Sequence, residues 1–203
     1  MARSSFRTLV VLGFLILCLA AYSQTTEGAA EPLLGSGHIW LKAGQTDLRD
    51  AAAGAWGVER EGYFALEGYW ASRIHEWYTG AELGLTATDS AVTDDGETIR
   101  DFGFWWLEVN SKRAFDLKHG LTIDVGMGVA LFFVEGEEEN SLGGTPTTDP
   151  LADFGFGAQA FTDFTWRTRQ LLVGLDAKYQ WAMDIINIDY SNLRLGAHIG
   201  FCF

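Results

Sequence analysis

Apolar residues recur at every second position over long stretches of this chain, and that alternation constrains its fold more than any other feature. In Leu193-Arg194-Leu195-Gly196-Ala197-His198-Ile199-Gly200-Phe201-Cys202-Phe203 every odd position is apolar. A helix brings residues three and four apart onto one face, whereas a strand turns successive side chains to opposite faces. The same period runs through Leu171–Trp181, Phe154–Trp166, Leu121–Phe133 and Trp77–Ala87. Three further segments, Gly37–Gly44, Glu61–Ser72 and Ile99–Ser111, alternate less cleanly. In the last of these, Phe102-Gly103-Phe104-Trp105-Trp106-Leu107 is apolar on both faces. A β-bulge accounts for this, because one extra residue flips the facing of everything beyond it. The chain therefore reads as all-β, with about eight antiparallel strands of roughly ten or more residues, long enough to cross a bilayer at a tilt.

The residues between the apolar ones decide which way the faces turn. They are glycines with scattered charges: Lys42, Glu67, Glu82, Glu108, Asp124, Asp176, Lys178 and Arg194. A soluble sandwich or lipocalin-like barrel turns its polar face to water and covers it with Lys, Glu, Ser and Thr. A face of glycines and isolated charges suits a narrow interior, where glycines leave room and opposite charges pair as a lumen network. The expected fold is a closed up-and-down barrel with its apolar face outward.

The connections alternate in length. Gln45–Arg60, Thr88–Thr98 and Glu135–Pro150 are long, Arg73–Glu76 and Arg167–Gln170 short, Lys112–His119 intermediate and Asp184–Asp189 moderate. Transmembrane barrels show this rhythm, with short turns on the periplasmic side and longer loops outside. The long loops are acidic, with Asp47, Asp50, Asp89, Asp94, Asp95, Glu97, Glu135, Glu137, Glu138, Glu139 and Asp149. The short connections carry Arg73, Lys112, Arg113, Lys118, Arg167 and Arg169. Solvation of the loops accounts for the acidity; a sharper reading is divalent-cation bridging to lipopolysaccharide phosphates. Asp94-Asp95-Gly96-Glu97 does not have the spacing of an EF-hand loop.

Residues 1–23 read as a signal peptide. Arg3 and Arg7 precede an apolar run, Leu9–Ala21, and Ala21-Tyr22-Ser23 places small residues before a cut ahead of Gln24. The run is too short to span a bilayer as a helix, which takes about twenty residues. Leu15-Ile16-Leu17 before Cys18 departs from a lipoprotein box. Residues 24–36 form a short N-terminal segment and 37–203 the barrel domain. The net charge of −13 becomes −15 without Arg3 and Arg7, a balance that disfavours nucleic acid as a partner. Cys202 is then the only cysteine, so no internal disulfide forms.

Together these residues resemble the small outer-membrane β-barrel family that includes the OmpA transmembrane domain and OmpX-like barrels. Asp189–Phe203 resembles the family's last strand and Leu121–Phe133 its fifth. The resemblance covers Gly37–Phe203 and implies a bacterial outer-membrane location, contact with outer-membrane lipid and lipopolysaccharide, and a monomer. It also implies insertion by the outer-membrane assembly machinery, which reads a C-terminal signal whose aromatic slots are filled by Phe201 and Phe203. His198 and Gly196 depart from that signal, occupying its glycine and polar slots.

Chemistry is sparse. No cofactor motif, metal-ligand spacing or phosphate-cradling glycine loop occurs. Some barrels of this size modify lipid A as acyltransferases or deacylases, which requires a nucleophile beside a base. The four histidines, His38, His75, His119 and His198, all fall toward the periplasmic end, away from the outer leaflet, and no His-x-Ser pair is present. A narrow pore lined by the lumen charges is a further alternative. The expectation is a non-enzymatic protein with a structural or surface-interaction role.

Overall fold

The computed structural model describes residues 33–48, 60–72, 77–92, 98–140, 147–182, 184–185 and 188–203. The signal-peptide segment, Asp94–Glu97 and His75 lie outside them. The strands are β1 (Gly37–Leu48), β2 (Arg60–Ala71), β3 (Trp77–Val92), β4 (Thr98–Lys118), β5 (Leu121–Asn140), β6 (Thr147–Thr168), β7 (Leu171–Ala182), β8 (Asp184–Ile185), β9 (Ile188–Asp189) and β10 (Asn192–Cys202). β8 and β9 pair only with each other. The other eight form a closed antiparallel barrel in which each strand pairs with its chain neighbour and β10 returns to β1. Closure removes the sheet edges that an open antiparallel sheet would expose.

The strand register sets the geometry. A path of directly paired residues leads from His38 through Tyr69, Gly80, Asn110, Gly128, Gln159, Gln180 and Asn192 to Leu48. One circuit thus climbs ten residues along β1 (48 − 38 = 10), a stagger that tilts the strands by about 40° to the axis.

The alternation becomes a two-sided wall. Odd residues of β5, β7 and β10 and even residues of β6 face outward, among them Val125, Met127, Val129, Phe156, Trp166, Leu175 and Phe201. Large apolar side chains stay bare on the outside; Met127 is 69% exposed and Phe64 68%. The apolar face is therefore the outer one, which overturns the soluble-barrel alternative. Aromatic rings bound this belt, with Trp70, Trp77, Phe115, Trp166 and Phe201 toward the end where the chain terminates, and Trp105, Phe133, Phe156 and Trp181 toward the loop end. The ten residues between Phe156 and Trp166 on one tilted strand span about 25 Å of axis, matching the lipid-facing band of outer-membrane barrels.

The wall is uneven. β4, β5 and β6 have 21, 20 and 22 residues, whereas β1, β2, β7 and β10 have 12, 12, 12 and 11. Pairing of β6 with β7 begins at Gly157, so the loop-end part of β6 pairs with β5 alone. Several connections read from sequence are corrected: Gln45–Arg60 and Thr88–Thr98 begin later, because β1 runs to Leu48 and β3 to Val92, and Asp184–Asp189 holds the β8–β9 pair. Lys112–His119 is not a connection: β4 runs through Lys118 and turns on His119 and Gly120, both with positive φ (55° and 79°), as a two-residue hairpin turn requires. Glu135–Pro150 is mostly strand, because β5 continues to Asn140 and β6 begins at Thr147. The bulge falls between Arg100 and Gly103, where two residues of β4 oppose Gly136 alone.

Candidate functional site

The bulge sets what enters the lumen from β4. Beyond it Phe104, Trp106, Glu108, Asn110, Lys112 and Ala114 all point inward and are buried. The interior is therefore not lined only by small and singly charged residues, as the sequence suggests. Glycines on neighbouring strands make the space: a Cβ on Gly126 would strike the Phe161 ring, and one on Gly84 the Trp106 ring.

The lumen has three layers. At the terminus end, Trp40, Tyr69, Tyr78 and Leu172 are fully buried around Leu34. Leu34 belongs to residues 33–36, which precede β1 and lie across the barrel mouth. Its backbone N–H donates to the Tyr78 hydroxyl (2.9 Å), the Arg167 guanidinium donates to the Leu33 carbonyl (2.6 Å), and the Ser36 hydroxyl donates to the Phe203 carbonyl (2.6 Å). Gly35 takes the left-handed conformation (φ 79°) that lets the segment turn in. At the loop end, Phe104 stacks on Phe132 (5.5 Å) and on Tyr190 (5.2 Å), and Tyr63 meets Trp106 edge-on (5.9 Å).

Between these aromatic layers lie the charges. Lys42 Nζ is 2.8 Å from Glu67, 3.4 Å from Glu82 and 3.9 Å from Asp163. Lys178 pairs with Glu82 at 2.8 Å and also with Glu108, and Arg194 pairs with Glu82 at 3.2 Å and also with Glu108. The Arg194 guanidinium lies 4.2 Å over the Trp106 ring, whose indole N–H donates to Glu82 (2.8 Å). Nearer the terminus end, Lys112 bridges Asp124 (2.9 Å) and Asp163 (3.2 Å) while resting 3.7 Å from the Trp40 ring. Asn110 and Gln159 share a 2.7 Å hydrogen bond, and the Tyr63 hydroxyl donates to Asp176 (3.0 Å). A charge taken from water costs several kcal/mol unless it is paired and hydrogen-bonded. Arg194 and Lys178 answer that cost by each touching two carboxylates.

All eight charges picked out from sequence (Lys42, Glu67, Glu82, Glu108, Asp124, Asp176, Lys178 and Arg194) are buried in the lumen. Lys112, read from sequence as part of a connection, stands in β4 with its ammonium between carboxylates of β5 and β6. Its even-numbered position, in register with Glu108, is the signal that would have found it. Asp163 belongs to the same cluster and is absent from the sequence-derived network. Phe201 and Phe203 point outward at the terminus end, 64% and 46% exposed.

One constellation has a catalytic outline. The Thr165 hydroxyl lies 3.1 Å from His198 Nε2, and His198 Nδ1 lies 3.6 Å from Asp176. Nucleophile, base and orienting acid stand in order, yet Thr165 and His198 are buried and the indole of Trp40 stacks on the imidazole at 4.1 Å. A substrate has no surface to approach. Among the described residues no cluster of His, Cys, Asp and Glu is arranged to hold a metal ion.

A small closed antiparallel barrel, apolar outside and plugged with charge and aromatic rings inside, is a barrel of the outer-membrane type. Solved structures agree in fold. Neisserial surface protein A (NspA) superposes with a TM-score of 0.62 at 11% identity, over 83% of this chain and 98% of that one. A major outer membrane protein from Thermus thermophilus superposes with a TM-score of 0.55 at 11% identity, over 81% and 99%. No family model and no curated protein matches the sequence. The fold is that of the small eight-strand barrels of the OmpA and OmpX type.

Proposed function

We propose that this chain is an integral protein of the bacterial outer membrane with a non-enzymatic, structural or surface-interaction role, exported through a cleaved signal peptide. The observation that carries this reading is the pairing of a bare apolar belt between aromatic rings with an interior filled by paired charges between two layers of buried rings. The belt needs lipid. Among the described residues the filled lumen offers conduction no path, which disfavours the pore, and the Thr165–His198 pair is buried inside it, away from lipid on the outer wall, which disfavours the lipid A-modifying enzyme. What remains for interaction is the tall loop-end wall of β4–β6. In this reading the barrel is a monomer that contacts phospholipid and lipopolysaccharide, and the assembly machinery recognises Phe201 and Phe203 at the end of the chain.

Gel mobility tests the placement: the folded barrel migrates faster in detergent until boiled, and a protein that stays dissolved without detergent sinks the reading. Planar bilayers loaded with protein stay silent, and steady unitary currents would restore the pore. The acyl pattern of lipid A is the same with and without the gene; a changed pattern would restore the enzyme.

A further inference from the structure

Among the described side chains, Arg113 is the only charged one that points outward within the apolar belt; Asp47 and Glu135, also on the outer face, stand at the loop-end rim, the opposite end of the barrel. Arg113 sits on β4 between Trp77 of β3 and Val125 of β5, two residues nearer mid-belt than Phe115. No carboxylate among the described residues pairs with it. Its guanidinium instead leans over the Phe115 ring, 5.1 Å from the centroid, toward the terminus end of the strand. A long cation on an apolar wall reaches in this way for the polar surface of its leaflet.

What it reaches for is set by its neighbours. Lys118, His119 and Arg169 are exposed on the two hairpin turns at this end, which lie side by side because Arg167 N–H donates to the Gly120 carbonyl (2.7 Å). The nearby acid, Asp116, accepts the Lys118 backbone N–H (2.7 Å). This rim is positive on a chain whose net charge is −13. Val125 and Met127, 52% and 69% exposed, continue the apolar wall above it.

We propose that Arg113 is the centre of a phospholipid site: its planar fork holds the phosphate of an anionic phospholipid in the leaflet at the terminus end, and the acyl chains lie along Phe115, Val125 and Met127. A guanidinium suits this ligand because it meets two phosphate oxygens at once. The inference rests on the membrane placement above. The test uses the full folded chain in vesicles mixing phosphatidylcholine and phosphatidylglycerol, with native mass spectrometry counting the lipids each barrel retains. The wild type retains phosphatidylglycerol about tenfold over its share, as one to two charge-assisted hydrogen bonds would give. Arg113→Gln loses that preference while keeping the heat-modifiable band, Arg113→Lys keeps part of it, and Arg169→Gln keeps most. A preference that survives Arg113→Gln, or that follows Arg169→Gln instead, overturns the site. A barrel that inserts with no preference overturns the site alone, whereas one that inserts into neither lipid overturns the membrane placement as well.

Discussion

The two faces of β5 share one backbone and obey different rules. Ile123, Val125, Met127 and Val129 look outward; Thr122, Asp124, Gly126 and Gly128 look into the lumen. In the proposed membrane placement the outer face needs only to be apolar, because lipid chains conform to whatever shape they meet. The inner face must fit. Asp124 has a cation waiting in Lys112 (2.9 Å), and Gly126 leaves the space that the Phe161 ring fills. Shape and charge are thus specified on one side of the wall and solubility in lipid on the other.

That contrast breaks most sharply at the charge layer. Arg194→Met leaves Glu82 and Glu108 short of a partner and should cost about 3–5 kcal/mol, read as the urea midpoint of the mobility-shifted band in micelles. Replacing Glu108 by Gln in the same chain should recover part of the loss; a neutral single variant would mean that water screens the layer. Next comes a charge on the outer face. Val129→Lys should cost about 2–4 kcal/mol if the position lies near mid-bilayer, and a much smaller loss would put Val129 near a headgroup region. Gly126→Val should cost about 1–3 kcal/mol by forcing the Phe161 ring aside, and Phe161→Ala in that background should relieve the crowding. At the small end, Met127→Leu on the outer face should stay within about 0.5 kcal/mol. A larger shift there would show that the outer wall, too, is fitted.

This asymmetry also explains what was legible beforehand. Leu121–Phe133, Phe154–Trp166, Leu171–Trp181 and Leu193–Phe203 announce their facing because a row that is apolar save for Thr162 stands opposite a row of glycines and polar or charged residues with few apolar ones. Phe104 and Trp106 hide theirs, since aromatic rings occupy both sides of that stretch of β4 and the bulge that sets the phase lies upstream. Lys112 beside Arg113 looks like the polar edge of a turn. Its even-numbered register with Glu108 is the one local sign of an interior residue, and its partners Asp124 and Asp163 come from two further strands. The capping of the mouth by Leu34 depends on Tyr78 and Arg167, which no local pattern ties to the N-terminal segment. Pairings across the lumen join residues far apart in the chain, and period alone does not report them.

The seam between β1 and β10 has a consequence in time. Gly37 and Phe203 exchange two backbone hydrogen bonds (3.0 and 2.9 Å) although 166 residues separate them. Until β10 pairs with β1, the sheet is a curved ribbon with two raw borders, and every added hairpin leaves those borders open. Such long-range pairing is slow and exposed to mispairing. The step that completes the molecule is therefore its hardest, and it falls to two strands that lie at opposite ends of the barrel sequence. A lesion in β10 would leave the other seven barrel strands with nothing to shut them.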